Sequence, residues 1–420
     1  MTESKIEQLA HALGIDQIPE FWKTNQQAFE EWKSSGGCGI APGDIPSNAR
    51  DVFDLPPGCM PDVESVCAEV RSNPSLAELA NLWHFLLFHL PGGRGLPEGT
   101  LPAPTGVLGD RAPIFHIAVL VSGTEHALEV YRAMGVSREI ALDSLAQCGS
   151  QVRDHYAKHG VYGMRYLGWM RNYFQGKMFR LGRLVFNTNE YTWGFRVYRH
   201  KTTGDLLTLC PSGARYRTDG LADGCNGISD PDAWVSEVEI GADFARGNPV
   251  SPTGEAVREA VRIDMREWAP LITPGDHMIE IHIPGYSSGG KMLWEDCAES
   301  YRQALEFFPR YYPQMRFTAF TCWSWLLDPG LAKILPPESN IVRFQSPFHL
   351  LPVHGNEHQC YDLAFGDSNV DISTFPPRTS LQRAIVEYVL AGNRMRSTAG
   401  VMTMDEIRTL TCRSRASRPA

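Results

Sequence analysis

Glu280 and His282 stand two residues apart in the segment Met278-Ile-Glu-Ile-His-Ile283. On an extended strand side chains alternate between faces, so the carboxylate and the imidazole share one face while Ile279, Ile281 and Ile283 take the other. Such a pair suits general-base chemistry, because either group could accept a proton from a nucleophilic amine, directly or through a water. The plainer reading is a pair hydrogen-bonded to neighbouring strands. Directly downstream, Pro284-Gly-Tyr-Ser-Ser-Gly-Gly290 is a glycine-rich turn ahead of a helical pattern. A turn of that kind presents backbone N–H groups at a helix N-terminus, where the dipole favours a phosphate or pyrophosphate. Lys291 adds a cation, but Met292 follows it, and neither the P-loop nor the dinucleotide-binding fingerprint is satisfied. Taken alone, the turn also reads as an ordinary loop.

Further along, Thr321-Cys-Trp-Ser-Trp-Leu-Leu-Asp-Pro329 places Cys322 and Ser324 on one face of a strand and Trp323 and Trp325 on the other. A thiol or hydroxyl there could protonate a leaving group, bind substrate or form a covalent intermediate. The two tryptophans read as core, and Asp328-Pro329 reads as a helix start with Asp at the N-cap and Pro at N1. Two metal-like spacings occur. His155 and His159 are at i, i+4 without the intervening glutamate of a zinc helix, and His354, His358 and Cys360 lie in one segment with no second cluster paired to them. Both read as loop or solvated-face residues, so no metal is expected. The absence of a G-x-S-x-G elbow argues against an α/β-hydrolase.

These residues need elements to hold them. From Ile6 to about residue 175 apolar residues recur at helical spacing, as in Leu76, Leu79, Leu82, Trp83 and Leu86, with Gly- and Pro-rich connections at 36–43 and 91–104. Ser137 opens and Gly160 closes one helical stretch, and Met164 begins another. Near residue 178 the period becomes alternating. Segments 179–187, 193–200 and 205–210 read as a meander, and 233–240 and 256–264 as further strands. Then follow a strand at 278–283, a helix at 293–312, a strand at 316–325, a short helix at 329–335 and a strand at 341–351. Thr379 to Gln382 has capping-box spacing for a last helix, and 399–403 could add a closing strand. The expected fold class is α+β: a mainly helical domain at 1–177, a mixed β-sheet domain flanked by helices at 178–404, and a tail at 405–420.

The whole chain of 420 residues is 43% hydrophobic and 21% charged, an ordinary globular mixture that excludes disorder and fibrous repeats as starting assumptions. A net charge of −9, without a basic block outside Arg413–Arg418, removes the usual footprint of nucleic-acid binding. The N-terminus lacks a secretory pattern, and the longest apolar run, Leu82–Leu90, falls short of the about 20 residues of a membrane span. A cytoplasmic protein is expected. The ten cysteines form no CxxC pair, which fits reduced thiols.

The strings Pro274-Gly-Asp-His-Met-Ile-Glu-Ile-His-Ile-Pro284, Met292 to Phe308 with Cys297, Ser300, Ala304, Phe307 and Phe308, and Cys322-Trp-Ser-Trp-Leu-Leu-Asp-Pro329 are distinctive. With Ser339-Asn-Ile341, Phe344-Gln345 and the junction Phe179-Arg-Leu-Gly-Arg-Leu184, they resemble a bacterial family of GNAT-like acyltransferases. Its members join a helical N-acyltransferase domain to a GNAT-like domain, and the resemblance runs from about residue 110 to about residue 403. It implies an acyl-CoA, acetyl-CoA or longer, lying between splayed strands at 278–283 and 316–325. The implied contacts are Ile281, Ile283 and the loop residues Gly285, Ser287, Ser288, Gly289, Gly290, Lys291 and Met292. That loop departs from the usual Q/RxxGxG/A pattern of GNAT enzymes. The resemblance further implies direct attack of an amine on the thioester with Glu280 or His282 as base. GNAT enzymes often use a tyrosine as acid, but none occurs between Thr321 and Leu335, so Cys322 or Ser324 is the candidate acid. The helical domain would cover the acceptor, a small molecule or a peptide amine, and an acyl-carrier protein is a possible alternative donor. A rival from another class is a non-catalytic CoA- or metabolite-binding protein, because a fold fixes no activity.

Overall fold

The computed structural model describes residues 4–37, 45–92, 95–285 and 289–416. Most of the expected 36–43 loop, together with Ser287 and Ser288, lies outside them. The fold is α+β, with the helices concentrated ahead of residue 178 and the strands after it. The chain groups into two compact units: Met1–Leu181 with Pro284–Gly290, and Gly182–Ile283 with Lys291–Ala420. No described helix is long and apolar enough to cross a membrane.

In the first unit the helices Met60–Ser72, Pro74–His84 and Ala112–Ser122 supply a core in which Trp83 and Phe115 meet edge to face at 5.0 Å. Ser137 caps Arg138–Leu145, and Gly160 closes Gln147–His159 in the left-handed conformation. The apolar run 82–90 ends as a π-helix, Phe85–His89. Its wider turn sets His89 over His84, with their Nε2 atoms 3.2 Å apart. The Ser122 hydroxyl donates to the Val119 carbonyl and therefore accepts from His84 Nδ1, 2.8 Å away. Buried Arg171 then satisfies the chain beyond the π-turn by donating to the carbonyls of Leu86, Leu90 and Gly92.

The second unit is built on five strands: β1 (Leu184–Glu190), β2 (His277–His282), β3 (Phe317–Ser324), β4 (His349–Leu351) and β5 (Thr398–Thr403). Their order is β1-β2-β3-β5-β4, with β2 and β3 parallel and the other neighbours antiparallel. A parallel pair needs a crossover, and helix Trp294–Tyr311 provides it. That helix covers one face of the sheet, where Tyr301 meets Phe186 and Phe320 at 6.4 and 6.1 Å. On the other face Met278, Ala319, Leu351, Ala399 and Val401 are sealed by Tyr191, Val197, Tyr216, Trp234 and Ile272 from the smaller sheets. Ser300 ties the helix to β1. Its Oγ accepts from the backbone N–H groups of Arg183 and Leu184 and donates to the Asp296 carbonyl.

Several boundaries differ from the sequence reading. The segment 179–187 divides at Gly182, whose φ of +65° breaks the strand. Residues 341–351 begin as a helix, Asn340–Gln345, because Ser339 caps Val342 N–H and prevails over the β-branched Ile341 and Val342. The segment with His354, His358 and Cys360 carries a helix, His358–Phe365, ended by Gly366 at positive φ. Residues beyond 404 continue as the helix Met404–Ala416, with Ile407 fully buried. A capping box explains it: Glu406 accepts from Thr403 N–H, and Thr403 Oγ1 accepts from Glu406 N–H.

Candidate active site

The alternation along β2 sets up the site. Met278 lies in the core, and on the same face the side chains become progressively more exposed, Glu280 to 16% and His282 to 28%. His282 Nε2 is 3.1 Å from Asn187 Oδ1 and 3.8 Å from Glu280 Oε2. Both are acceptors, so Nε2 is a ring nitrogen that carries a proton. Asn189 Nδ2 in turn donates to Glu280 Oε2 at 3.2 Å. Asn187 is in register with Glu280, and Asn189 with Met278. Sequence reasoning missed both asparagines. The available signal was an apolar strand, Leu184-Val-Phe186, that turns polar at Asn187-Thr-Asn189, which reads equally well as the start of a turn.

The register between β2 and β3 decides which residues join this pair. Glu280 is opposite Thr321 and Ile281 opposite Cys322, where the ladder stops. Thr321 and Trp323 therefore share the Glu280 face. Cys322 and Ser324 point to the opposite face, under the crossover helix, and the geometry does not bring them to Glu280 and His282. Cys322 is buried there, and burial, with the Glu280 charge adding to it, pushes its thiol far above the ordinary range. Ser324 accepts from Leu326 N–H at 3.1 Å, the cap of the turn that follows. The pleat thus turns both side chains away from the Glu280 face. The tryptophans also part company: Trp325 is core, whereas Trp323 is 43% exposed.

Beyond His282 the chain enters the glycine turn, where Gly289 N–H donates to the Gly285 carbonyl at 2.8 Å. That amide is engaged within the turn. Gly290 has a φ of +64°. Lys291 is exposed and Met292 half-buried, and the Lys291 carbonyl accepts from Arg183 Nε at 3.3 Å. Arg183, itself buried, is a second cation at the end of the loop that the sequence reading did not single out. Ile281 is sealed in the sheet and Ile283 half-buried just beyond it.

The metal-like spacings resolve differently. His155 and His159 have ring centroids 4.7 Å apart, and His155 Nδ1 is spent on the Val161 carbonyl at 2.9 Å. Cys360 is buried, and His358 Nδ1 is bonded to the Ser368 carbonyl. Among the described residues no group of three or more His, Cys, Asp or Glu is arranged to hold a metal ion.

Comparison with known proteins adds three findings. Residues 49–176 match the family model of an N-acyltransferase N-terminal domain, and residues 178–402 that of a GNAT-like C-terminal domain. No curated protein sequence matches. Similar solved structures include an acyltransferase mutant in complex with octanoyl-CoA, at 19% identity and a TM-score of 0.62 over 95% of this chain and 99% of that one. Another is an acyltransferase in complex with decanoyl-CoA and teicoplanin, at 19% identity and 0.62 over 96% of this chain and 100% of that one. A third is an acyltransferase in complex with CoA and 10C-teicoplanin, at 20% identity and 0.61 over the same shares. At these identities the likeness is one of fold.

Proposed function

The chain belongs to the bacterial GNAT-like acyltransferase family, which joins an N-acyltransferase N-terminal domain to a GNAT-like C-terminal domain, and from that premise we propose that it moves an acyl group from an acyl-CoA to an amine. The observation that carries the reading is the Glu280 and His282 pair at the open end of the parallel strands β2 and β3, followed directly by a glycine turn. Past Ile281 and Cys322 the strands are no longer paired, and an extended pantetheine arm would fit alongside the backbone from Ile281 to Ile283. The glycine turn that leads into Lys291 would meet the pyrophosphate.

In this reading the amine nitrogen attacks the thioester carbon, the C–N bond forms and the C–S bond breaks. The amine proton passes to the His282 imidazole, directly or through a water. The imidazolium so formed keeps its Nε2 proton on Asn187 and lies beside the Glu280 carboxylate, which stabilises the positive charge. The electron pair leaves with sulfur. A thiol with an ordinary pKa of about 8.5 departs readily as thiolate, so the proton can come from His282 or solvent and no buried acid is required.

Solved relatives described with octanoyl-CoA and decanoyl-CoA support a medium-chain donor, and those described with teicoplanin support a small-molecule or peptide acceptor. A CoA thioester as donor is consistent with a cytoplasmic location. The test is calorimetric titration of the full chain with acetyl-, octanoyl- and decanoyl-CoA, beside a Gly289→Glu variant. The expected result is wild-type binding that weakens at least ten-fold in the variant. No binding of any acyl-CoA by the wild type would overturn the donor assignment and direct the search to an acyl-carrier protein.

A further inference from the structure

Trp323 occupies a position that the mechanism leaves unused. The β2–β3 ladder ends at Ile281 and Cys322, so the next residues on each strand, His282 and Trp323, flank the opening from opposite sides. Both lie on the Glu280 face. On its other side Trp323 is in register with Ala399, whose small side chain leaves the indole uncovered, and the residue stays 43% exposed. Among the described residues its ring meets no other aromatic ring, unlike Trp83, Trp193 and Trp234, each held edge to face or tilted against a neighbour. The opening thus has a polar wall of Asn187, Asn189, Glu280 and His282, and an aromatic wall of Trp323.

We propose that Trp323 is the specificity-determining residue on the acceptor side, and that its indole selects amines borne on a planar aromatic ring by stacking against that ring. This deepens the acyl-transfer reading and rests on it for the position of the nucleophile. The polar wall receives the amine while the indole holds the ring, so the two walls divide the acceptor between them.

The experiment compares 2-phenylethylamine with its saturated counterpart 2-cyclohexylethylamine, which matches it in size but lacks the planar face. Binding to the full chain in the presence of CoA, and KM and kcat for transfer, are measured for wild type, Trp323→Ala and Trp323→Phe. The expected result is that Trp323→Ala weakens the aromatic amine at least ten-fold, about 1.4 kcal/mol, and the saturated amine less than three-fold. The loss should appear in KM rather than kcat, with acyl-CoA affinity unchanged, and Trp323→Phe should recover most of it. Equal losses for both amines, or none, would overturn the proposal even if acyl transfer is observed. Selective loss of aromatic-amine binding without any transfer would support the Trp323 assignment while removing the acyl-transfer reading.

Discussion

His282 Nε2 is bonded to Asn187 and lies beside the Glu280 carboxylate, and that arrangement makes separable predictions. Glu280→Gln and His282→Asn should each lower turnover by about 100-fold or more, the usual range for a general base or its partner, with acyl-CoA affinity within three-fold of wild type. Single-turnover kinetics beside calorimetry would check this, and unchanged turnover in both variants would dismiss the base assignment. Asn187→Leu removes the group that fixes the imidazole tautomer, so kcat should fall while KM for the acceptor holds. Cys322→Ala should keep kcat within a few-fold and cost only about 1–2 kcal/mol of stability, as removal of a buried sulfur does; a collapse of turnover would return the thiol to the mechanism. The contrast between Glu280 and Cys322 shows what was legible at this scale. Alternation within β2 correctly places Glu280 and His282 together. Which face of β3 joins them depends on the register between strands, and a slip of one residue exchanges Cys322 for Trp323. That information resides in the packing of the sheet and not in either strand alone.

At the scale of elements, the crossover helix is the part that orients the site, and Ser300 is its anchor to β1. Replacing Ser300 with Ala leaves the buried N–H groups of Arg183 and Leu184 without their partner, which should cost about 2–4 kcal/mol, read as a lower midpoint in denaturant at unchanged m-value. A loss below 0.5 kcal/mol would mean that the neighbouring backbone finds other acceptors. Caps were the most readable elements: Thr379 with Gln382 forms the capping box its spacing implies, and Ser137 is the N-cap that opens its helix. The capping box of Thr403 and Glu406 has the same spacing but follows directly on a strand without a turn, so the spacing alone does not announce a helix there. Ile341 and Val342 misled in the other direction, because β-branching is a weaker instruction than a serine cap.

For the molecule as a whole, two solution properties follow. Of the nine described cysteines eight are buried, and only Cys412 is exposed. A thiol reagent on the native protein should therefore modify Cys412 and at most Cys38, with the rest of the ten reacting only on unfolding. Rapid labelling of four or more would contradict the fold. The helical unit should also be acid-sensitive. Burial, with neighbouring His89 and His126 adding to it, lowers His84 from 6.5 to about 3, and burial likewise lowers His89 to about 4. Below pH 6.5 the unfolded chain takes up protons that these rings refuse, so stability falls as pH drops from 6.5 toward 4. Thermal midpoints across that range should decline in the wild type and less steeply in His84→Phe, where His89 still contributes; a flat wild-type profile would place the rings in contact with water. Finally, β5 is buried along all six of its residues and lies between β3 and β4, although it comes last of the five in the chain. During translation the sheet therefore waits with a gap in its middle until residue 403 has left the ribosome. A premature stop before residue 398 would strand two open edges, and such products would be expected to go to chaperones or proteases instead of persisting as a smaller fold.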